Sequence, residues 1–210
     1  SAIEKHNSEH LRLANVAPAE HERVRSDFVE AWPFAPHLIT LLEDQVLVAT
    51  QAQETRDLIR ILADVFKSRK SDSPIITAAD FRIDDDKSGI AALLDSVSNQ
   101  HHASLREKAQ RNLSAVLDAV KDPSQTVPHL ADIVGALWLR SLAIKNAGAE
   151  PGELHVDITR AKAIDDNFFS AELSTIVENS FNIHQEGSRL VFREEENPQA
   201  KLIANARNDK

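Results

Sequence analysis

Apolar residues recur every three or four positions over most of the chain, which is the spacing that places side chains on one face of an α-helix. The clearest such segment spans 54–67, and its predicted core face comprises Leu58, Ile59, Leu62, Val65 and Phe66. The same spacing predicts further helices over 18–29, 37–48, 90–97, 105–120, 130–144 and 167–179. The pattern therefore indicates a mainly helical fold.

Prolines and polar turn residues separate these helical segments. Pro33 and Pro36 break the pattern after position 32, because proline lacks an amide donor and restricts the residue before it. Residues 74–76 suit a short extended run, and Thr77 is placed to cap the turn that follows. The stretch 122–128, which contains two prolines, is the best candidate for a domain boundary.

The pattern changes in the last third of the chain. Residues 154–158 could form a short strand, and 181–184 and 188–192 resemble the two strands of a hairpin. Together with the helices at 130–144 and 167–179, this hairpin follows the element order of a winged helix. We therefore expect a winged-helix-like unit at 126–193, followed by a polar tail at 194–210.

Composition narrows the class of protein. The 210 residues are 42% hydrophobic and 27% charged, as in a folded globular protein, and they include no cysteine for disulfides or thiolate zinc sites. No apolar run approaches the roughly 20 residues that cross a bilayer, and no signal peptide is recognisable, so we expect a cytoplasmic location. Methionine is absent even at position 1, and we expect the chain to be part of a longer polypeptide.

The net charge of −9 makes nucleic-acid binding less expected, although it leaves room for a local basic patch. The five glycines cannot form the G-x-x-x-x-G-K-[ST] loop that holds nucleotide phosphates, and neither G-x-S-x-G nor H-E-x-x-H occurs. We therefore predict no catalytic residue, no metal site and no ATP hydrolysis by this chain alone.

Several residues that could carry chemistry are better explained by structure. The acidic runs at 84–86 and 165–166 suit helix N-termini or a solvated loop, and the run at 194–196 a solvated surface. His101 and His102 are adjacent rather than one helical turn apart, which favours a surface pair. The aromatic residues expected in the core are Trp32, Phe34 and Trp138.

Two arginines, Arg56 and Arg60, lie one helical turn apart near the start of the 54–67 helix. A guanidinium is a permanent forked donor that suits phosphate oxygens, so an arginine opposite the apolar face could reach a phosphate held by another domain. The alternative is an ordinary surface arginine paired with Asp57 or Asp64. The sequence pattern alone leaves both interpretations open.

Residues 32–39 (Trp-Pro-Phe-Ala-Pro-His-Leu-Ile) and 53–62 (Gln-Glu-Thr-Arg-Asp-Leu-Ile-Arg-Ile-Leu) resemble a known family. They are similar to the region after the ATPase core in large predicted AAA-type ATPases of bacterial anti-phage islands, of the BREX and phage-growth-limitation kind. The segments 179–184 and 195–198 also resemble the downstream part of that family. The resemblance extends over about 28–210.

The same stretch is more distantly similar to the lid of origin-recognition-type AAA ATPases, which carries a sensor-2 arginine and precedes a winged helix. Arg56 matches the sensor-2 position, and Arg60 is the second choice. The resemblance implies that Arg56 reaches the γ-phosphate of ATP bound to a preceding domain. The glycine that often precedes this arginine is replaced here by Gln53 or Glu54.

The resemblance implies different roles for different parts of the chain. Residues 1–125 would comprise the end of the ATPase core and a helical lid, and 126–193 would be an interaction module for other defence proteins. ATP and Mg²⁺ would bind the upstream ATPase domain, whose Walker motifs would precede Ser1. The alternative is a stand-alone winged-helix module that binds DNA or regulates, but its recognition helix would be acidic, which disfavours DNA contact. A stand-alone enzyme ranks last.

Overall fold

The computed structural model describes residues 1–47, 51–69, 74–96 and 100–200, with only the helical backbone at 51–54, 96 and 100. The predicted ends at Val48 and Val97, the loop at 70–73 and the tail beyond 200 lie outside these residues. The α-helices in chain order are α1 (Ala2–Leu13), α2 (His21–Ala31), α3 (Pro36–Leu41), α4 (Gln51–Ser68), α5 (Ile90–Ser96), α6 (Gln100–Ala119), α7 (Pro123–Thr126), α8 (Leu130–Ser141), α9 (Pro151–Ile158) and α10 (Asp166–Glu178).

Short helical turns and one hairpin complete the described elements. Two 3₁₀ turns span Pro18–Glu20 and Ala78–Asp80, and a π-helical turn, Leu42–Val46, extends α3. Strands β1 (Ile183–Glu186) and β2 (Arg189–Phe192) pair antiparallel, with Ile183 opposite Phe192. The fold is therefore mainly helical with a small β-hairpin, as the sequence pattern predicts.

Helix α8 lies at the centre of the core. Nine of its residues are buried, and Trp138 is completely enclosed. The helix contacts the 3₁₀ turn Ala78–Asp80 on one side and α6, α9 and β2 on others. An almost fully apolar helix is stable in water only when neighbours cover all its faces, and α8 has such neighbours.

Side-chain caps set several element starts. Thr77 accepts a hydrogen bond from the amide of Ala79 (3.2 Å), and its own amide donates to Asp80 (2.8 Å), which confirms the predicted cap. Asp165 accepts from the amide of Phe168 (3.0 Å) at the start of α10, again as predicted. The break at Pro33 and Pro36 is also observed, since α2 ends at Ala31 and α3 begins at Pro36.

Three sequence predictions about individual segments are wrong. Residues 154–158 lie in helix α9 and not in a strand, because Pro151 occupies a first helical turn and the run completes a short buried helix. The first helix of the chain, α1, was not predicted, because its buried face consists largely of polar side chains, with His6 and Asn7 beside Leu11. Trp32 is 54% exposed rather than in the core, whereas Trp138 is buried as expected.

The predicted boundary at 122–128 contains the short helix α7, with Asp122 in a left-handed conformation before it. One cluster of buried apolar residues includes members from both sides of this stretch, such as Ile61, Phe81, Leu137 and Ile176. The division into 1–125, 126–193 and 194–210 remains a prediction. In the described part of the chain, none of the helices has the length and apolar character needed to cross a membrane.

Gly135 permits the closest packing of α8, and its replacement should be costly. A Cβ atom at this position would lie 2.2 Å from the carbonyl oxygen of Phe81, so the Gly135→Ala variant must push apart α8 and the segment after the 3₁₀ turn. We expect the free energy of unfolding to fall by about 3 kcal/mol. Urea denaturation followed by circular dichroism measures this change.

Gly152 provides the matched control, because it is also helical but a Cβ atom there would make only an ordinary contact at 3.4 Å. Alanine favours helices over glycine by up to about 1 kcal/mol, so Gly152→Ala should leave stability unchanged or raise it slightly. Equal losses for both variants would show that the close contact of α8 with Phe81 does not matter for stability.

Candidate functional site

Helix α4 carries both arginines singled out by the sequence, and its inner face fixes which way they point. Ile61 and Val65 are completely buried, and Leu58 and Leu62 pack against the core from partly buried positions. The predicted core face was wrong for Ile59 and Phe66, which are 63% and 43% exposed. The buried stripe is centred on positions 58, 61 and 65, so the helix is rotated relative to the prediction.

The outer face of α4 therefore combines basic and apolar side chains. Arg56, Ile59, Ala63 and Phe66 follow one another at intervals of three, four and three residues, which places them along one stripe of the helix. The Phe66 ring lies 6.5 Å from the ring of Phe34, measured between centroids. We refer to this stripe from Arg56 to Phe66 as the outer face of α4.

The two arginines differ in what holds them. The Nη2 atom of Arg60 donates to Oδ2 of Asp95 on α5 at 2.7 Å, and both side chains are more than half exposed. The surface partner of Arg60 is thus Asp95, and not Asp57 or Asp64. Arg56 is exposed and makes no hydrogen bond or ion pair with any residue that the structure describes. Asp57, expected on the polar side, is only 5% exposed.

The guanidinium of Arg56, on an exposed helix face, has a defined chemical capacity. Its five N–H donors form a planar fork that matches the oxygens of a phosphate or a carboxylate, and it remains charged at any physiological pH. No element of this chain supplies the P-loop that would present a nucleotide phosphate. The arrangement can therefore bind a phosphate group only when another domain or molecule brings it to α4.

The three carboxylates of the acidic run at 84–86 make local contacts. Asp84 pairs with Arg82 (3.3 Å), Asp86 pairs with Arg106, and Asp85 accepts a hydrogen bond from the amide of Lys87 at 2.9 Å. These contacts agree with the prediction of a capped, solvated loop. Within the described residues, no group of three or more histidine or acidic side chains is arranged to hold a metal ion.

The adjacent histidines on α6 do not form the surface pair that was predicted. His101 is exposed and its Nδ1 lies 3.0 Å from Glu194, whereas His102 is only 5% exposed. Burial and the neighbouring His101 lower the pKa of His102. The prediction was wrong for His102 because α6 turns the two side chains in different directions, one of them towards the core.

Three charged residues of the predicted winged-helix unit, Glu172, Arg189 and Arg193, are engaged by partners within the fold. Glu172 of α10 is buried and accepts hydrogen bonds from the amide and from Nδ1 of His129, at 2.6 and 2.9 Å. Arg193 makes a bidentate pair with Glu186 (2.9 and 2.8 Å), and Arg189 donates to the carbonyl oxygen of Gly148 at 2.7 Å. The arginines that could have touched a DNA backbone are thus engaged within the fold.

A buried charge cluster was not predicted from the sequence. Asp157 of α9 is completely buried and receives Nε and Nη2 of Arg140 at 2.7 and 3.0 Å, while Nε2 of His37 lies 3.3 Å from its Oδ1. Burial opposes ionisation of Asp157, but Arg140 and His37 hold its pKa well below the usual range. These residues come from α8, α9 and α3, and no local motif links them.

Two further histidines, His6 and His10, stand one turn apart on α1 beside this cluster. The His10 and His37 rings are stacked at 5.3 Å and 8°, and Nδ1 of His6 contacts the carbonyl oxygen of Thr159. The Phe28 ring packs at a steep angle against both histidines of α1. The i, i+4 spacing of His6 and His10 was the available sequence signal, but only the fold shows that both face the protein.

No family model, no curated protein and no solved structure matches this chain. The resemblance to AAA-type ATPases of anti-phage islands consequently rests on the residues at 32–39, 53–62, 179–184 and 195–198. The resemblance remains a prediction.

Acid should destabilise the protein through the histidines of α1. Burial, with the nearby charge of His37, lowers the pKa of His6 and of His10 from 6.5 to about 4. Between pH 6.5 and 4 the unfolded chain therefore binds more protons than the folded chain. These histidines leave the free energy of unfolding undiminished above pH 6.5 and reduce it as the pH falls towards 4. We expect a loss on the order of 2 kcal/mol for each histidine, measured by urea denaturation across this range.

The His10→Leu variant tests the assignment. Leucine removes one titrating group, and the buried Nδ1 of His10 has no hydrogen-bond partner to lose among the described residues. The variant should keep its stability at pH 7 and show a shallower decline below pH 6.5. The ionised form of Asp157 is protected to much lower pH, so it does not produce this decline. Constant stability from pH 6.5 to 4.5 would contradict the assignment.

Proposed function

We propose that this chain is a non-catalytic part of an AAA-type ATPase of bacterial anti-phage defence. It would contribute a helical lid, with Arg56 as a sensor-2-like arginine, and a winged-helix-like module that contacts other proteins of the system in the cytoplasm. The observation that carries the proposal is the outer face of α4, where Arg56, which has no partner among the described residues, shares one exposed stripe with Ile59 and Phe66.

The apolar part of that stripe supports a docking role. Single exposed apolar residues are common on protein surfaces and need no explanation. On α4, however, Ile59 and Phe66 are exposed on the same stripe as Arg56, for which the described residues supply no partner, while the opposite face packs against the core. A face that combines apolar area with a forked donor suits a partner domain that presents both an apolar surface and a phosphate.

The surroundings of the two candidate arginines support the choice of Arg56 in this proposal. Arg60 would have to leave Asp95 to bind a phosphate, while Arg56 has no partner to leave among the described residues. An exposed ion pair contributes at most about 1 kcal/mol to stability. The pair with Asp95 therefore makes phosphate binding by Arg60 less favourable but does not prevent it. Arg56 is accordingly the first choice for the sensor and Arg60 the second.

A contact at Arg56 could be transmitted to the rest of the lid. The inner face of α4 packs on α5, and the close approach of Gly89 to the carbonyl oxygen of Ile61 and to Val65 leaves little room for sliding. A phosphate that binds Arg56 in only one nucleotide state would therefore shift the position of the whole helical layer. ATP and Mg²⁺ belong to the ATPase domain in this proposal.

The first test replaces Arg56 in the polypeptide that includes the ATPase domain. Arg56→Ala removes a phosphate donor, so ATP turnover should fall by on the order of 10²-fold. The thermal unfolding midpoint should hardly change, because substitution of an unpaired surface residue alters stability by less than about 0.5 kcal/mol. A coupled phosphate-release assay and calorimetry measure the two quantities.

Two variants serve as controls in the same assays. Arg60→Ala breaks only the surface pair with Asp95 and should reduce turnover much less. Arg56→Lys keeps the charge but loses the fork, and it should restore only part of the activity. Unchanged turnover in Arg56→Ala, or losses of turnover and stability of the same size, would show that Arg56 has no sensing role.

The DNA-binding alternative makes a different prediction for the chain itself. Helix α10 contains acidic but no basic residues, and both Arg189 and Arg193 are engaged. We therefore expect no mobility shift when the chain is mixed with a duplex of about 20 base pairs at low salt, where non-specific binding is strongest. A shift that weakens steeply with added salt would revive this alternative.

A further inference from the structure

A cleft separate from the outer face of α4 opens between four segments. It is bordered by the C-terminal end of α4, the residues around the 3₁₀ turn Ala78–Asp80, the start of α8 and the loop after α9. Its volume is about 380 Å³, which lies in the range of small-molecule sites and is too small for a folded partner.

The floor of the cleft is a fixed ion triad. Arg160 donates to Asp132 at 2.9 Å and to Asp80 at 3.1 Å, and Asp80 also accepts from the amide of Thr77. Burial raises the pKa of Asp80, and the positive charge of Arg160 opposes this rise. The triad connects the 3₁₀ turn, α8 and the loop after α9, so the shape of the cleft is determined by the fold.

The rim carries two cations besides the ion triad. Four cationic and two acidic side chains line the cleft; Arg160 belongs to the triad and Arg82 pairs with Asp84, which leaves Lys162 and Arg69. Lys162 is exposed and has no ion pair among the described residues. The guanidinium of Arg69 stacks 4.3 Å from the centre of the Phe66 ring. It has no carboxylate partner among the residues that the structure describes.

Among the described residues, the carboxylates beyond the cleft do not compensate Lys162 and Arg69. A second depression, between Lys162 and α1, contains Glu4 and Glu9. Glu9 pairs with Arg12 at 2.7 Å, and Glu4 pairs with the amino group of Ser1. Lys162 and Arg69 thus line the same cleft as the apolar side chains of Ala79, Ile158 and Ile164. Apolar walls lower the local dielectric and strengthen the attraction of an anion.

We propose that this cleft binds the phosphate group of a small organic molecule, with Lys162 and Arg69 as the donors and Ile158 and Ile164 against its apolar part. A dianionic phosphate matches the two cations and takes both a point charge and a forked donor. The site is distinct from the sensor role of Arg56 and does not depend on it.

The test uses the isolated chain with phenyl phosphate and inorganic phosphate as probes. Titration calorimetry should show both anions binding, with phenyl phosphate tighter by about tenfold because its ring covers the apolar wall. At a concentration about ten times its Kd, phenyl phosphate should raise the unfolding midpoint by about 3 °C. Sodium chloride at the same ionic strength should not reproduce this rise.

Charge-removing variants locate the site. Lys162→Gln and Arg69→Gln should each weaken phenyl phosphate binding by about tenfold. Lys145→Gln, at an exposed lysine outside the cleft, should bind like the unmodified chain. Arg56→Ala should also bind normally, so failure of this proposal is distinguishable from failure of the sensor role. Undiminished binding in Lys162→Gln, or an equal midpoint rise in chloride, would overturn the proposal.

Discussion

The carboxylate of Asp157 is the charge on which the arrangement of the helices depends. It is completely buried, and removing a carboxylate from water costs several kcal/mol unless partners compensate it. Arg140 supplies a bidentate pair, His37 lies at ion-pair distance, and the hydroxyl of Thr77 donates to the Asp157 carbonyl oxygen at 2.5 Å. Contacts of this one residue therefore join α9 to α8, to α3 and to the start of the 3₁₀ turn.

This constraint also explains how the peripheral helix α1 is held. A mostly polar helix has little apolar area with which to dock, and α1 uses its histidines instead. His10 stacks on His37, which itself contacts Asp157, and His6 reaches the carbonyl oxygen of Thr159 two residues further along. The docking of α1 thus depends on neutral imidazoles beside a buried ion pair, and pH enters the stability of the fold at this point.

Periodic patterns could be predicted from the sequence, while contacts between distant residues could not. The helices α4, α8 and α10 and the final hairpin were recognisable because each shows the repeat of its own element. Residues 154–158 were misassigned because a buried helix of this length and a buried strand have the same apolar run. The face of α4 was misjudged because it carries more apolar side chains than one stripe can bury.

The candidate sites also differ in how far local sequence reveals them. Arg56 and Arg60 could be identified from one helix, since their spacing and exposure are local properties. The ion pair of Arg60 with Asp95 depends on how α5 packs, and it could not be foreseen. The cleft that contains Arg69, Asp80, Asp132 and Arg160 joins four segments far apart in the sequence, so only the fold brings these charges together.

The outer face of α4 and the cleft are linked through the end of one helix. Phe66 is part of the exposed apolar stripe, and its ring is also the surface on which Arg69 stacks at the rim of the cleft. Phe66 is therefore common to the exposed stripe and to the rim of the cleft. A change of this one side chain alters the apolar area of the stripe and, at the same time, removes the surface on which Arg69 stacks.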